Sequence, residues 1–262
     1  KRIENHLKEN PDIKAVYVTL CESCTGALTD VKAIADIVKK TNAVLVVDAI
    51  SGLLTTPLKT DEWAIDVVVG GSQKALMCPP GMAFASVNEK AWKLVEISKL
   101  PKFYFSWKST KKNLDKDTTP FTPAITTTFG LQAALKMIKA EGIENVWARH
   151  DQLAKAMRTG VQAIGLELYA KDPAPTLTAI KVPDGVDGKV WPKTLRDKYG
   201  VTVAGGQGDV TGKIIRVAQM GYAGPFDVIL ALSAIELSLT ELGFKVELGK
   251  GIKAAEEVLS KS

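Results

Sequence analysis

Two kinds of apolar patterning divide this chain. In the first half, residues 15–20 (Ala-Val-Tyr-Val-Thr-Leu) form a short β-rich run, and residues 43–47 form a second run that is wholly apolar. Continuous apolar strands suit a sheet covered on both faces. Between them, Val31, Ile34, Ile37 and Val38 recur at helical spacing, after Thr29 and Asp30, which are suitable N-cap residues. A strand, helix, strand unit of this kind predicts a parallel pair joined by a right-handed crossover. Residues 65–69 read as a third strand and residues 82–87 as a fourth, the latter preceded by the turn Cys78-Pro79-Pro80-Gly81. Such alternation defines an α/β fold with a mainly parallel sheet flanked by helices.

Residues 126–140 and 145–164 have helical spacing and are separated by Gly142, a stop signal. From about residue 166 the texture changes to short strands and helices: strands at 177–182, 201–203 and 214–217, a helix near 190–199, and a final helix pair at 226–242 and 248–259. The expected organisation is therefore a large domain over residues 1–141 and a smaller C-terminal α+β domain over residues 142–262. The chain opens at Lys1 without a methionine, and Ile3 and Leu7 read as part of an amphipathic helix already under way. A further N-terminal portion is expected ahead of it.

Composition narrows the function classes. With 46% hydrophobic residues among 262, there is enough apolar material for a real core. The net charge is +5, but the basic residues are interleaved with 29 acids, which argues for solubility more than for an anionic partner. The densest basic stretch, 102–112, holds Phe103, Tyr104, Phe105 and Trp107, the ingredients of a nucleic-acid groove. Its isolation in the chain favours no nucleic-acid partner. No apolar run reaches the ~18 residues a membrane span needs. Cys21, Cys24 and Cys78 are too few for a disulfide scaffold and suit a reducing, cytoplasmic setting. Cys21 and Cys24 form a C-x-x-C, but no second ligand pair accompanies it, so packing is expected there and no metal site.

Three features fall at the carboxyl ends of the expected strands, where open α/β sheets hold ligands. They are Glu22-Ser23-Cys24-Thr25-Gly26, Asp48-Ala49-Ile50-Ser51, and Gly70-Gly71-Ser72-Gln73-Lys74. An acid that ends a wholly apolar strand is costly unless a cation meets it. A protonated pyridine nitrogen would satisfy Asp48 and would strengthen such a ring as an electron sink. Lys74, followed by Ala75, Leu76 and Met77, is an amine in apolar surroundings, able to condense with an aldehyde. The glycines and Ser72 offer backbone and hydroxyl donors to a phosphate.

With these motifs in order, the sequence resembles the class V aminotransferases among the fold-type I pyridoxal 5'-phosphate (PLP) enzymes, most closely the alanine–glyoxylate, serine–glyoxylate and serine–pyruvate aminotransferases. The matching segments also include Thr56-Pro57-Leu58, Pro79-Pro80-Gly81, Thr122-Pro123, Lys171-Asp172-Pro173 and the run from Gly212 and Lys213 to Arg216. The resemblance implies that Lys74 is the Schiff-base lysine and that Asp48 pairs with the pyridinium nitrogen. It implies that Ser23 lies near the cofactor's phenolic oxygen and that Gln73 and Thr122 belong to the phosphate site, Thr122 reaching the neighbouring subunit's cofactor. Arg216 matches the arginine that grips the substrate α-carboxylate, a task for which its planar fork is suited. The implied assembly is a homodimer with active sites at the subunit interface. The family's phosphate-binding glycine turn and ring-stacking aromatic lie ahead of the position of Lys1. Thr119 stands where the family commonly has Tyr, and Cys24 where Ser is frequent.

The implied activity is transfer of an amino group from a small amino acid (alanine or serine) to a small 2-oxo acid (glyoxylate or pyruvate). Within the fold, phosphonate-directed transaminases and cysteine desulfurases are alternatives; desulfurases usually place His before the lysine, where this chain has Gln73. A PLP-binding subunit of a complex, without transaminase activity, is the alternative from another class.

Overall fold

The wholly apolar run that ends at Asp48 becomes an inner strand of a four-stranded sheet. In chain order, the computed structural model, which describes residues 1–261, begins with α1 (Arg2–Glu9), β1 (Ala15–Thr19), two short strands β2 (Cys21–Glu22) and β3 (Ala27–Leu28), and α2 (Val31–Val38). Then come β4 (Val44–Asp48), β5 (Val67–Gly71), β6 (Ala83–Val87), α3 (Glu89–Ile97), α4 (Trp107–Leu114), α5 (Ile125–Glu141) and α6 (Ile143–Ala163). The chain closes with β7 (Leu177–Lys181), α7 (Trp191–Tyr199), β8 (Ala204–Gly205), β9 (Ile214–Ala218), α8 (Pro225–Glu241) and α9 (Lys250–Leu259). One compact unit comprises Lys1–Thr19, Asp30–Ile50 and Lys59–Leu135; a second comprises Leu20–Thr29, Ser51–Leu58 and the chain from Lys136 onward.

The sheet of the first unit has the order β1-β4-β5-β6. β1 and β5 run parallel to β4, with Thr19 opposite Asp48 and Asp48 opposite Val69. β6 is antiparallel to β5, to which it returns directly through the short connection 72–82. Val44, Val67 and Ala91 are buried in one cluster with Val46, Val69, Leu94 and Trp107 around them, so α3 covers that face. α2 packs on β4, burying Val31, Ala35 and Val38, and its N-terminus is capped by Asp30, whose carboxylate accepts the Ala33 N–H at 2.9 Å.

Two helices here, α3 and α4, are not announced by the apolar pattern; each starts at a capping side chain, Asn88 and Ser106 respectively. The third strand begins two residues later than its apolar run, at Val67 rather than Ile65. Buried Asp66 holds the Leu45 N–H and the Asn88 amide instead of joining a ladder.

In the second unit, β7, β9 and β8 form an antiparallel sheet in the order β7-β9-β8. A single large core joins it to α6, α7, α8 and α9 through Leu153, Met157, Ile180, Trp191, Leu195, Ile215, Leu232 and Ile235. α6 and α9 approach closely because both carry glycine at the crossing: a Cβ on Gly160 would lie 2.8 Å from the Gly251 carbonyl oxygen. Residues 201–203, which read as a strand, are not one. The Val201 N–H is spent on the Leu195 carbonyl at the end of α7, and pairing to β9 begins only at Ala204.

Candidate active site

Asp48 and Lys74 belong to the first unit and stand at or just beyond the carboxyl ends of adjacent parallel strands. Asp48 is half-buried, and its Oδ1 accepts the Ile50 N–H at 3.0 Å. Among the described residues, no ion pair is formed by Asp48 or by the half-buried Lys74. A carboxylate without an ion-pair partner at the end of an apolar strand is the kind of group that a bound cation stabilises.

The loop that carries Lys74 is closed by Ser72. Its fully buried hydroxyl donates to the Pro79 carbonyl at 2.7 Å and accepts the Met82 N–H at 3.2 Å. Its backbone N–H reaches the Met82 carbonyl, and its carbonyl takes the Cys78 N–H, each at 3.1 Å. Ser72 is thus consumed inside the loop and is no phosphate donor, contrary to the reading of this loop from sequence. Gln73 next to it is exposed, with its amide folded back over Gly71, where a Cβ would lie 2.8 Å from Gln73 Oε1.

Thr122 is exposed on a groove of about 530 Å³ lined by Tyr104, Phe121, Ile125 and Phe129. Tyr104 stacks on Phe121 with ring centroids 4.6 Å apart. Thr119 is turned inward on its own segment, donating its hydroxyl to the Phe121 carbonyl at 2.6 Å.

Ser23 and Arg216 belong to the second unit. Ser23 sits in the turn of the β2–β3 hairpin, where Gly26 has φ +74° and a Cβ would collide with Leu177 at 2.8 Å. The hairpin is docked on the segment 172–174 by Leu28 N–H to the Asp172 carbonyl and Ala174 N–H to the Gly26 carbonyl, both 2.8 Å. Arg158 of α6 braces that segment, donating to the Pro173 and Ala174 carbonyls; burial draws its pKa below the ordinary guanidinium value. The Ser23 hydroxyl meets that of buried Ser51 at 2.5 Å.

Arg216 projects from the central strand β9 and is held by backbone oxygens. Nε and Nη2 both donate to the Gly205 carbonyl, at 3.0 and 2.8 Å, while Nη1 donates to the Ser23 carbonyl at 2.6 Å. Of the five guanidinium N–H groups, three are used, which leaves one on each terminal nitrogen. Among the described residues no carboxylate pairs with it. The fixed fork is suited to an incoming carboxylate.

Sequence reasoning did not single out Ser51 as the partner of Ser23, nor Gly205 as the anchor of Arg216. Ser51 closes the Asp48-Ala49-Ile50-Ser51 segment and its type carried a weak signal; a carbonyl acceptor carries none.

The Aminotransferase class-V family matches residues 1–222, and the chain belongs to that family. It is 41% identical to the soluble hydrogenase small subunit of a Synechococcus species, over 94% of this chain and 65% of that protein. It is 35% identical to the serine–glyoxylate aminotransferase of Methylorubrum extorquens, over 99% of this chain and 67% of that one. Among solved structures, it superposes on the pyridoxamine–pyruvate aminotransferase of Mesorhizobium loti with a TM-score of 0.94 at 35% identity, covering 99% of this chain and 68% of that one. The chain thus spans about two thirds of the length of these relatives, 65% of the Synechococcus protein. The fold is that of the fold-type I PLP enzymes, with a mixed, mainly parallel sheet. No helix among the described residues is long and apolar enough to cross a membrane.

The family is one of PLP-dependent enzymes, and the donor set of this chain fits that cofactor. Asp48 would offer a carboxylate free of ion pairs to a ring nitrogen, and Lys74 an amine free of ion pairs to an aldehyde.

Proposed function

We propose that this protein is a PLP-dependent aminotransferase that moves an amino group from a small amino acid, alanine or serine, to a small 2-oxo acid, glyoxylate or pyruvate. The observation that supports this reading is a half-buried carboxylate and a half-buried amine, at or just beyond the carboxyl ends of adjacent parallel strands, neither of which forms an ion pair among the described residues. In this reading Lys74 holds the cofactor, Asp48 pairs with its ring nitrogen, Ser23 lies near its phenolic oxygen, and Gln73 and Thr122 serve its phosphate. The bound cofactor supplies an electron sink for the substrate α-carbon. Lys74 Nζ, released when the substrate amine takes its place, would take the proton from that carbon and return one to the carbonyl carbon of the accepting 2-oxo acid. Arg216 orients the substrate by its carboxylate, using the terminal N–H groups that the Ser23 and Gly205 carbonyls leave free.

The same reading takes residues 1–141 as the cofactor-binding domain and 142–262 as the smaller domain. It takes the working form as a cytoplasmic homodimer, with Thr122 serving the neighbouring subunit's site. Borohydride reduction of the PLP-loaded protein followed by peptide mass spectrometry is expected to place the pyridoxyl group on Lys74. Its attachment to another lysine, or an absorbance unmoved by both alanine and serine, overturns the proposal. The second outcome would favour an inert PLP-binding subunit, a reading to which the name of the Synechococcus relative lends support.

A further inference from the structure

Beside Arg216, the two backbone segments that grip its guanidinium are also joined by side chains. Arg216 takes the Ser23 carbonyl on one side and the Gly205 carbonyl on the other. The residues immediately beyond these anchors are Cys24 and the Gly206-Gln207 pair. The Cys24 thiol donates to Gln207 Oε1 at 3.4 Å. The turn that presents Gln207 has little freedom. The Gly206 N–H is bonded to the Ile214 carbonyl at 2.9 Å, a Cβ on Gly206 would fall 1.9 Å from the Val210 carbonyl oxygen, and a 3-10 turn follows at Gly208–Val210. Gln207 is nevertheless exposed, and among the described residues its Nε2 has no partner.

We propose that Gln207, oriented by Cys24, is a specificity-determining residue that favours amino acids with a hydroxyl side chain over those with a methyl. The inference rests on the assignment of Arg216 to the substrate carboxylate. A carboxamide whose oxygen is engaged by a thiol presents its NH2 group as a donor and keeps one oxygen lone pair as an acceptor. A substrate hydroxyl can meet either. A methyl group meets neither, and it would exclude water from the amide without replacing its hydrogen bonds.

The test compares the PLP-loaded parent protein with Gln207→Leu and Cys24→Ala, in single-turnover reactions with L-serine and L-alanine. Because one neutral hydrogen bond contributes about 1 kcal/mol, the serine-to-alanine ratio of rate over affinity is expected to fall about fivefold in Gln207→Leu. A smaller fall is expected in Cys24→Ala, and Cys24→Ser should restore the parent ratio. Both positions are at least partly exposed, so folding is not at issue. A second readout needs binding alone: iodoacetamide labelling of Cys24, followed by mass spectrometry, should be slowed more by L-serine than by L-alanine in the parent, and equally by both in Gln207→Leu. Unchanged ratios together with equal protection by the two amino acids overturn the inference. If neither amino acid alters the cofactor absorbance of the parent, the transaminase reading falls instead, and the labelling experiment still decides the role of Gln207.

Discussion

Ser72→Ala isolates what holds Lys74 in place. The hydroxyl is fully buried and bridges two backbone groups seven and ten residues onward, the Pro79 carbonyl and the Met82 N–H. Alanine fills almost the same volume, so the loss is polar. Two net hydrogen bonds of about 1 kcal/mol each disappear, and an acceptor and a donor are left short of partners, which brings the expected cost to ~2–4 kcal/mol. The backbone bonds of Ser72 to Met82 and Cys78 remain, and they oppose complete opening of the loop. Native-state hydrogen exchange reads this locally. The Met82 and Cys78 amides should exchange ~30-fold faster or more, since 1.4 kcal/mol is a factor of ten. Urea unfolding should show the same loss of stability, whereas Ser260→Ala, which removes an exposed hydroxyl, should change it by less than ~0.5 kcal/mol. If Ser72→Ala unfolded within ~0.5 kcal/mol of the parent, with both amides exchanging at parent rates, the claim that this hydroxyl closes the Lys74 loop would be wrong.

Three other outcomes are expected. Asp48→Asn should preserve the fold but lower turnover by about two orders of magnitude or more and weaken PLP retention, because an amide cannot hold a ring nitrogen protonated; near-normal turnover at saturating PLP contradicts it. Buried Glu236 accepts the Gly249 and Gly251 N–H groups at 2.6 and 2.8 Å and so caps α9 from α8; Glu236→Ala should cost ~3–5 kcal/mol and Glu236→Gln distinctly less, read by urea unfolding. His150 is buried, its Nε2 accepting the Gly221 N–H at 3.0 Å while Nδ1 faces the Val146 carbonyl at 2.7 Å, and burial pushes its pKa below 6.5 against the opposing effect of the Val146 bond. The unfolded chain therefore takes up the proton first as pH falls, so this contribution is complete above 6.5 and is lost as pH drops through the lower folded value. Thermal midpoints should decline between pH 7.5 and 5.5, and His150→Gln should lower the midpoint at pH 7.5 while flattening that decline; an equal slope in the variant would remove His150 from the account.

Much of the fold was legible in the residues because it is local. Val31, Ile34, Ile37 and Val38 predict a helix at 3.6-residue spacing, and Asp30 caps it as its side chain allows. The apolar run ending in Asp48, and the Gly-Gly-Ser-Gln-Lys order after the next strand, pointed to the two candidate groups of the first unit, which stand at or just beyond the carboxyl ends of adjacent parallel strands. Local pattern failed where pairing or capping depends on distant partners. Residues 201–203 have the composition of a strand, yet only tertiary structure decided that the ladder to β9 starts at Ala204. Ser72 looked like a free phosphate donor until the fold brought Pro79 and Met82 to it. Arg216 could be named from its motif, but its orientation comes from carbonyls at Ser23 and Gly205, one of them far away in the chain. A backbone carbonyl is the same in every residue, so no sequence pattern can reveal which one an arginine will meet.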